Sequence, residues 1–147
     1  MRILVQEAAF DLGKESTDFA AAQSNMGAIV TFTGVVRNNA EGTLKSMRIE
    51  HYPGMTEKAL TKIAEEASTR WELGDVLVIH RYGDMKPGEL IMMVATASKH
   101  RLHAFEAAEF LMDFLKSRAP FWKKEITSDS AEWVAAKHAD EDALKRW

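Results

Sequence analysis

The chain has 147 residues, of which 46% are hydrophobic and 28% are charged, and it contains no cysteine. This composition is typical of a soluble globular protein and excludes a mainly disordered chain. The missing cysteines exclude disulfides, thiolate metal sites and chemistry on the protein's own sulfur. A net charge of −3 gives no reason to expect general affinity for nucleic acid.

The chain shows no long apolar run, no signal-peptide pattern, no internal repeat and no low-complexity linker. These features predict a protein without a membrane span, located in the cytoplasm. We also expect residues 1–147 to form one domain, since this length is enough to bury a real core.

In the first third of the chain, strand-like segments alternate with a helix-like one. The predicted elements in chain order are a strand at 2–8, a weak helix at 18–24, a strand at 27–37, a polar loop at 38–43 and a strand at 46–52. The strand at 27–37 is the clearest because it is rich in β-branched residues. Gly34 within it indicates a bulge or a close backbone approach.

The middle of the chain predicts a helix followed by a hairpin. Residues 55–71 have apolar side chains at helical spacing, which indicates an amphipathic helix capped by Thr56. The strand-like runs 76–83 and 89–98 are joined by DMKPG, a turn signal, so we expect them to pair as a hairpin.

The last third predicts a long helix at 99–119, capped by Ser98 and ended by Pro120. FWKKEI (121–126) is then extended, and the chain closes with the end of a strand and a short helix. Together these elements predict an α+β fold, with a largely antiparallel sheet and one long helix.

Four basic side chains lie within FLKSRAPFWKKE (114–125): Lys116, Arg118, Lys123 and Lys124. In an extended segment Lys123 and Lys124 point to opposite faces, so only one of them can line a pocket. Lys116 and Lys123 could converge across the turn at Pro120. A lysine beside other cations has a lowered pKa and can act as a base, a nucleophile or an anion clamp. The residues alone leave open that these charges form a solvated face.

Two further groups could bind anions. His100 and Arg101 lie at the predicted start of the long helix, where cations oppose the helix dipole unless an anion is bound. Arg37 ends a strand before a loop and could be a bidentate phosphate clamp or an ordinary strand-end charge. The histidines show no spacing typical of metal ligands, so no metal site is predicted.

Five segments together resemble the large, catalytic subunit of molybdopterin synthase: VTFTGVVRNN (30–39), EHYPGMTEKAL (50–60), VIHRYG (78–83), SKHRLHAFEAAEFLMDFLKSRAPFWKKE (98–125) and the terminal KRW. The resemblance runs from about residue 27 to the C-terminus. It implies an α/β hammerhead-type fold and a central homodimer. It also implies that a small ubiquitin-like sulfur-carrier subunit binds at each end, giving a heterotetramer.

The activity that the resemblance implies is a sulfurtransferase reaction of molybdenum cofactor biosynthesis. Cyclic pyranopterin monophosphate receives two sulfurs, each delivered as a C-terminal thiocarboxylate on the small subunit, and becomes the dithiolene molybdopterin. No cofactor or metal is implied. Both reactants are anions, which fits the cationic stretch, and the sulfur arrives on the partner, which fits a chain without cysteine.

By the same resemblance, Lys116 and Lys123 are the catalytic residues. The implied substrate-binding positions are Val35, Val36, Arg37, His100, Arg101, Lys116, Lys123, Lys124 and Glu125. Val35 replaces a lysine of other members, so it is expected to contribute at most a backbone contact. Lys137 stands where another member has arginine, and Phe32 and Met112 match residues that line the family's pocket.

Helix geometry restricts how these residues can meet. His100 and Lys116 are sixteen positions apart, so on one continuous helix they lie about 24 Å apart along the axis. We therefore expect one pocket to combine His100 and Arg101 of one subunit with Lys116, Lys123 and Arg37 of the other.

Two other functions remain compatible with the residues. One is a non-catalytic adaptor whose groove grips the carboxylate tail of a protein partner. The other is a lysine-dependent aldolase or lyase that forms an imine on Lys116. Sulfur transfer to the pterin separates the first from an enzyme, and borohydride trapping tests the second.

Overall fold

The computed structural model describes all 147 residues, in eight strands and four helices. In chain order the elements are β1 (Arg2–Gln6), α1 (Leu12–Ala21), β2 (Ala28–Val35), β3 (Ser46–His51), α2 (Met55–Trp71), β4 (Asp75–Arg81), β5 (Gly83–Met85), β6 (Leu90–Ser98), α3 (Arg101–Ser117), β7 (Phe121–Ile126), β8 (Ala131–Trp133) and α4 (His138–Leu144). None of the helices combines the length and the apolar character needed to cross a membrane.

The first sheet has the strand order β1-β4-β6-β2 and is covered by helices on both faces. Val76, Val78 and Val94 point into the larger core, with residues of α2 and α3. Leu77 and Ile79 point to the other face, where Phe19 of α1 packs. Because β4 and β6 are buried on both sides, their sequences are continuous apolar runs instead of alternating ones.

The second sheet has the order β5-β3-β7-β8 and is antiparallel throughout. In the first sheet only β1 and β4 run parallel. The expected α+β fold with largely antiparallel pairing is therefore confirmed. The bulge expected at Gly34 is also present, as a register shift between Gly34 and Val35 where β2 pairs with β6.

Several local predictions were wrong. The first helix spans Leu12–Ala21 instead of 18–24, because Asp11 caps it by accepting a hydrogen bond from the Lys14 amide. The strands β4 and β6 do pair, but the connection between them is not a simple turn. Its residues 83–85 form β5, which joins β3 in the second sheet.

The two expected helix caps are also different. Gly54 is the N-cap of α2, and its amide donates to the Glu57 carboxylate at 2.7 Å. Thr56 lies in the first turn of α2, two residues after Gly54, where it is fully buried and bonds back to Tyr52. Ser98 is the last residue of β6, and His100 precedes the first turn of α3 without a side-chain cap.

Candidate active site

The site forms where α3 ends and β7 begins. Lys116 lies in the last turn of α3, and the helix closes with the Arg118 amide donating to the Phe114 carbonyl at 2.7 Å. Pro120 follows, since it cannot continue a helix, and β7 starts at Phe121. The chain therefore reverses within a few residues, which brings the Lys123 amine against that of Lys116. We refer to Lys116 and Lys123 as the lysine pair.

The four cations of this stretch have different surroundings. Arg118 forms an ion pair with Glu141 at 2.6 Å. Lys124 lies over the ring of Trp133, with its amine 5.1 Å from the ring centroid. The lysine pair has no carboxylate within ion-pairing distance. As the extended backbone predicts, Lys123 faces Lys116 and Lys124 faces Trp133.

The protonation of Lys123 is strongly shifted. Burial disfavours its charge, and the neighbouring Lys116 ammonium repels it, so its pKa falls from 10.5 to about 8. Lys137 lowers this pKa further, while the Asp140 carboxylate opposes the shift. A lysine that gives up its proton so easily can take part in proton transfer near neutral pH.

His80 belongs to the same cluster, although the sequence did not indicate it. It is buried in β4, and its ring stacks on Phe121 with the centroids 3.7 Å apart. Its Nδ1 donates to the Arg81 carbonyl at 2.8 Å. Burial, together with the charges of Lys123, His51 and Lys116, lowers its pKa to about 4. His80 is thus a neutral contact between the two sheets beside the lysine pair.

A second cationic group lies at the opposite end of α3. His100 and Arg101 are exposed, the first turn contains no acidic residue, and the helix is continuous to Ser117. The rise of an α-helix separates this end from Lys116 by about 24 Å. Within one chain, the structure therefore does not bring these two groups of predicted site residues together.

The remaining predicted site residues differ in their solvent exposure. Arg37 is exposed just after β2, and Val35 is half exposed. Val36 is buried, its amide donates to the Glu89 carbonyl and its carbonyl accepts from Gly88, so it has no free group for a substrate. Glu125 lines a polar cleft together with Glu41 and Glu132.

The two residues expected to line the pocket, Phe32 and Met112, also differ in their solvent exposure. Phe32 is 43% exposed on β2, so its ring is available to a partner or ligand. Met112 is partly buried and packs against the main core. No group of three or more His, Asp or Glu side chains is arranged to hold a metal ion.

An uncompensated pair of lysines, one with a pKa near neutrality, is suited to reactions of anionic substrates. One ammonium can stabilise negative charge while the neighbouring amine exchanges a proton. The fold and the site thus define an α+β protein that carries two adjacent lysines suited to binding an anion.

Comparisons with known proteins agree with this class. The family described as "MoaE protein" matches residues 5–118. The molybdopterin synthase catalytic subunit of Cereibacter sphaeroides is 63% identical over 147 residues, which is 100% of both chains. The solved MoaE protein of Burkholderia ambifaria is 48% identical with a TM-score of 0.84, covering 99% of this chain and 97% of the other. The molybdopterin synthase structure from Staphylococcus aureus is 28% identical with a TM-score of 0.82, covering 90% and 96%.

The chain belongs to the MoaE family of molybdopterin synthase catalytic subunits. The family expected from the sequence is thereby confirmed, together with its sulfurtransferase activity in molybdenum cofactor biosynthesis.

Proposed function

We propose that the lysine pair is the centre at which this chain transfers sulfur to cyclic pyranopterin monophosphate. The sulfur comes from the thiocarboxylated C-terminus of a small sulfur-carrier subunit, and two transfers produce the molybdopterin dithiolene. The observation that carries this proposal is the close approach of Lys116 and Lys123, neither of which forms an ion pair with a carboxylate. The two positive charges repel each other until a bound anion offsets them.

The two lysines have different roles in this proposal. With a pKa of about 8 for Lys123, roughly a tenth of these amines are neutral at pH 7, and the exposed Lys116 supplies a fixed positive charge. Lys116 stabilises the thiocarboxylate and the oxyanion that develops on it. Lys123 accepts and returns the protons of the reaction.

The atoms balance without an oxidant or reductant. The carbon–sulfur bond that forms on the pterin side chain replaces a carbon–oxygen bond at the same carbon, whose oxygen stays on the phosphate or leaves as water, and the acyl carbon–sulfur bond of the carrier breaks. Water supplies the oxygen that converts the acyl group to a carboxylate on the released carrier.

The phosphate of the substrate would bind to Arg37 together with His100 and Arg101 of a second copy. The supporting observation is an exposed apolar surface beside this end of α3. It consists of Phe32 on β2, which pairs with Val94 of the main core and so lies on the α3 face of the sheet, together with Leu102 and Phe105 on α3. Because β2 is an edge strand, this surface fits a homodimer interface, which would place the start of one α3 next to the partner's site.

The reaction itself tests the proposal. We expect this protein and its partner to be located in the cytoplasm. A single-turnover assay with the thiocarboxylated carrier and the cyclic pterin should yield the dithiolene. Lys116→Ala should form no product, and Lys123→Ala should react on the order of 10²-fold more slowly. Lys62→Ala, which removes an exposed lysine on α2, is the matched control and should react at the wild-type rate.

Three outcomes would contradict the proposal. Turnover of Lys116→Ala within a few-fold of wild type would remove the catalytic role of that residue. Carrier binding without any sulfur transfer would indicate an adaptor. A covalent adduct trapped by borohydride on either lysine during turnover would indicate imine chemistry instead.

A further inference from the structure

The C-terminal segment (residues 134–147) contains α4 and ends with Lys145, Arg146 and Trp147. Its helix has seven residues, none of them buried. A helix this short is unstable by itself in water. Contacts elsewhere in the segment must therefore hold it in place.

Trp147 supplies the strongest of these contacts. Its ring meets Trp71 and Phe110 edge-on, with centroid distances of 5.6 Å in both cases. Its Nε1 donates to the Asp113 carboxylate at 2.6 Å. The guanidinium of Arg70 lies 5.6 Å from the centre of the same ring. The last residue of the chain is thus docked into the main core between α2 and α3.

Arg146 fixes the same end of the chain to the surface of α3. Its guanidinium binds the Asp113 carboxylate at 2.7 Å and also pairs with Glu109. Lys145, the preceding residue, contacts only Asp142 within the C-terminal segment, at 2.8 Å. We refer to Arg146 and Trp147 as the terminal anchor.

Between its ends, the C-terminal segment passes beside the lysine pair. The Val134 amide donates to the Lys123 carbonyl at 2.7 Å. Glu141, at the other side, pairs with Arg118, two residues after Lys116. The charged groups around Lys123 are Lys116 from α3 and Lys137 and Asp140 from the C-terminal segment, and the neutral His80 ring of β4 lies nearby.

We propose that Arg146 and Trp147 are positioning residues for the reaction: they hold the C-terminal segment over Lys123, so that Asp140 and Lys137 stay beside its amine and water is kept away. The proposal rests on the proposed role of Lys123. Neither residue of the terminal anchor touches the reacting atoms. Their contribution is to keep the environment of Lys123 constant through the reaction.

Chemical labelling of the full chain tests this directly. Trace acetylation with acetic anhydride across a pH series, quantified at Lys123 by peptide mass spectrometry, reports the protonation of that amine. In wild type the midpoint should lie at about 8. In Trp147→Ala and in Arg146→Ala the segment is released, so the midpoint should move upward toward the ordinary value of 10.5. The direction follows because burial, the largest cause of the lowered pKa, is relieved.

Lys145→Ala is the matched control, since it changes the neighbouring residue without touching α3. Its midpoint and its sulfur-transfer rate should equal those of wild type. The terminal-anchor variants should transfer sulfur on the order of tenfold more slowly, since the raised pKa leaves less of the Lys123 amine neutral and able to accept a proton. Arg146→Ala removes the ion pairs with Glu109 and Asp113 but no side chain from the core, so its result is used if Trp147→Ala does not fold.

The role of the terminal anchor and the role of Lys123 are tested by different results. An unchanged Lys123 midpoint in folded Arg146→Ala overturns the role of the terminal anchor, whatever the reaction rates are. Wild-type sulfur transfer by Lys123→Ala overturns the proposed role of Lys123, and the labelling midpoints of the terminal-anchor variants would not change that result.

Discussion

The environment of Lys123 suits the reaction at the expense of stability. At neutral pH the native state holds most of these amines charged, although they are largely buried and face Lys116. The unfolded chain solvates the same charge without any repulsion. Catalytic groups with shifted pKa values therefore often destabilise the protein that contains them.

Replacing Lys123 by methionine should stabilise the protein while removing activity. The native pKa of about 8 lies below the unfolded value of 10.5, so the unfolded state binds more protons between these two pH values. The cost is thus fully present below pH 8 and disappears as pH rises through 10.5. Urea unfolding at pH 7 should show a gain on the order of 1–3 kcal/mol, which shrinks in a series up to pH 10.

Lys124→Met provides the comparison on the same strand. Lys124 faces Trp133, so this change should be neutral or slightly destabilising at pH 7. A Lys123→Met protein less stable than wild type at pH 7 would contradict the strain assigned to the lysine pair.

The sequence allows the lysine pair to be predicted, but not the residues that surround it in the structure. Alternation in an extended FWKKEI predicted that only one of Lys123 and Lys124 can line a pocket, the break at Pro120 allowed Lys116 and Lys123 to converge, and the family resemblance selected Lys123. His80 is different, because nothing near it in the chain distinguishes it from a core residue of β4. Its place beside the lysine pair depends on the stacking of Phe121, a residue 41 positions away in a different sheet.

At the scale of elements, the junction between β3 and α2 depends on Thr56. Its buried hydroxyl accepts from the Tyr52 amide at 3.1 Å and donates to the Tyr52 carbonyl at 2.9 Å. The His51 ring lies 3.1 Å from the same oxygen. One hydroxyl therefore fixes the direction in which α2 leaves the second sheet.

Thr56→Val keeps the shape of the side chain and removes these bonds. The partly buried Tyr52 amide then loses this partner, which should cost about 1–3 kcal/mol in the free energy of unfolding. Thr69→Val makes the same chemical change at an exposed position of α2 and should have a much smaller effect. Equal stabilities for the two variants in urea unfolding would show that the Thr56 bonds do not support the junction.

Element types were predictable, whereas their ends and connections were less so. The spacing of apolar residues predicted 55–71 as a helix with the bounds that the structure has. The same pattern could not show that Gly54, at φ of 83°, would begin it. A local turn signal also could not show that Gly83–Met85, between β4 and β6, would pair with β3 in the second sheet. This pairing is a contact between residues far apart in the chain.

At the scale of the whole molecule, the helix α3 separates two groups of cations that the proposed reaction needs together. Lys116 and Lys123 lie at its C-terminal end, and His100 and Arg101 lie at its start. The exposed apolar surface next to Arg101 offers a way to join them in a homodimer. The central claim is therefore that one anionic substrate is held by opposite ends of α3 from two copies of the chain.

Mixing two inactive variants tests this claim most directly. Lys116→Ala and Arg101→Ala homodimers, each shown to be folded and inactive, are dissociated, mixed and reassociated, and the mixed dimers are isolated by differential tags. If the site is shared, one site of each mixed dimer collects both defects and the other is intact. Sulfur transfer should then return to about half of the wild-type rate per dimer. Verified mixed dimers that remain inactive would contradict the shared site, because every site built within a single chain would still contain one defect.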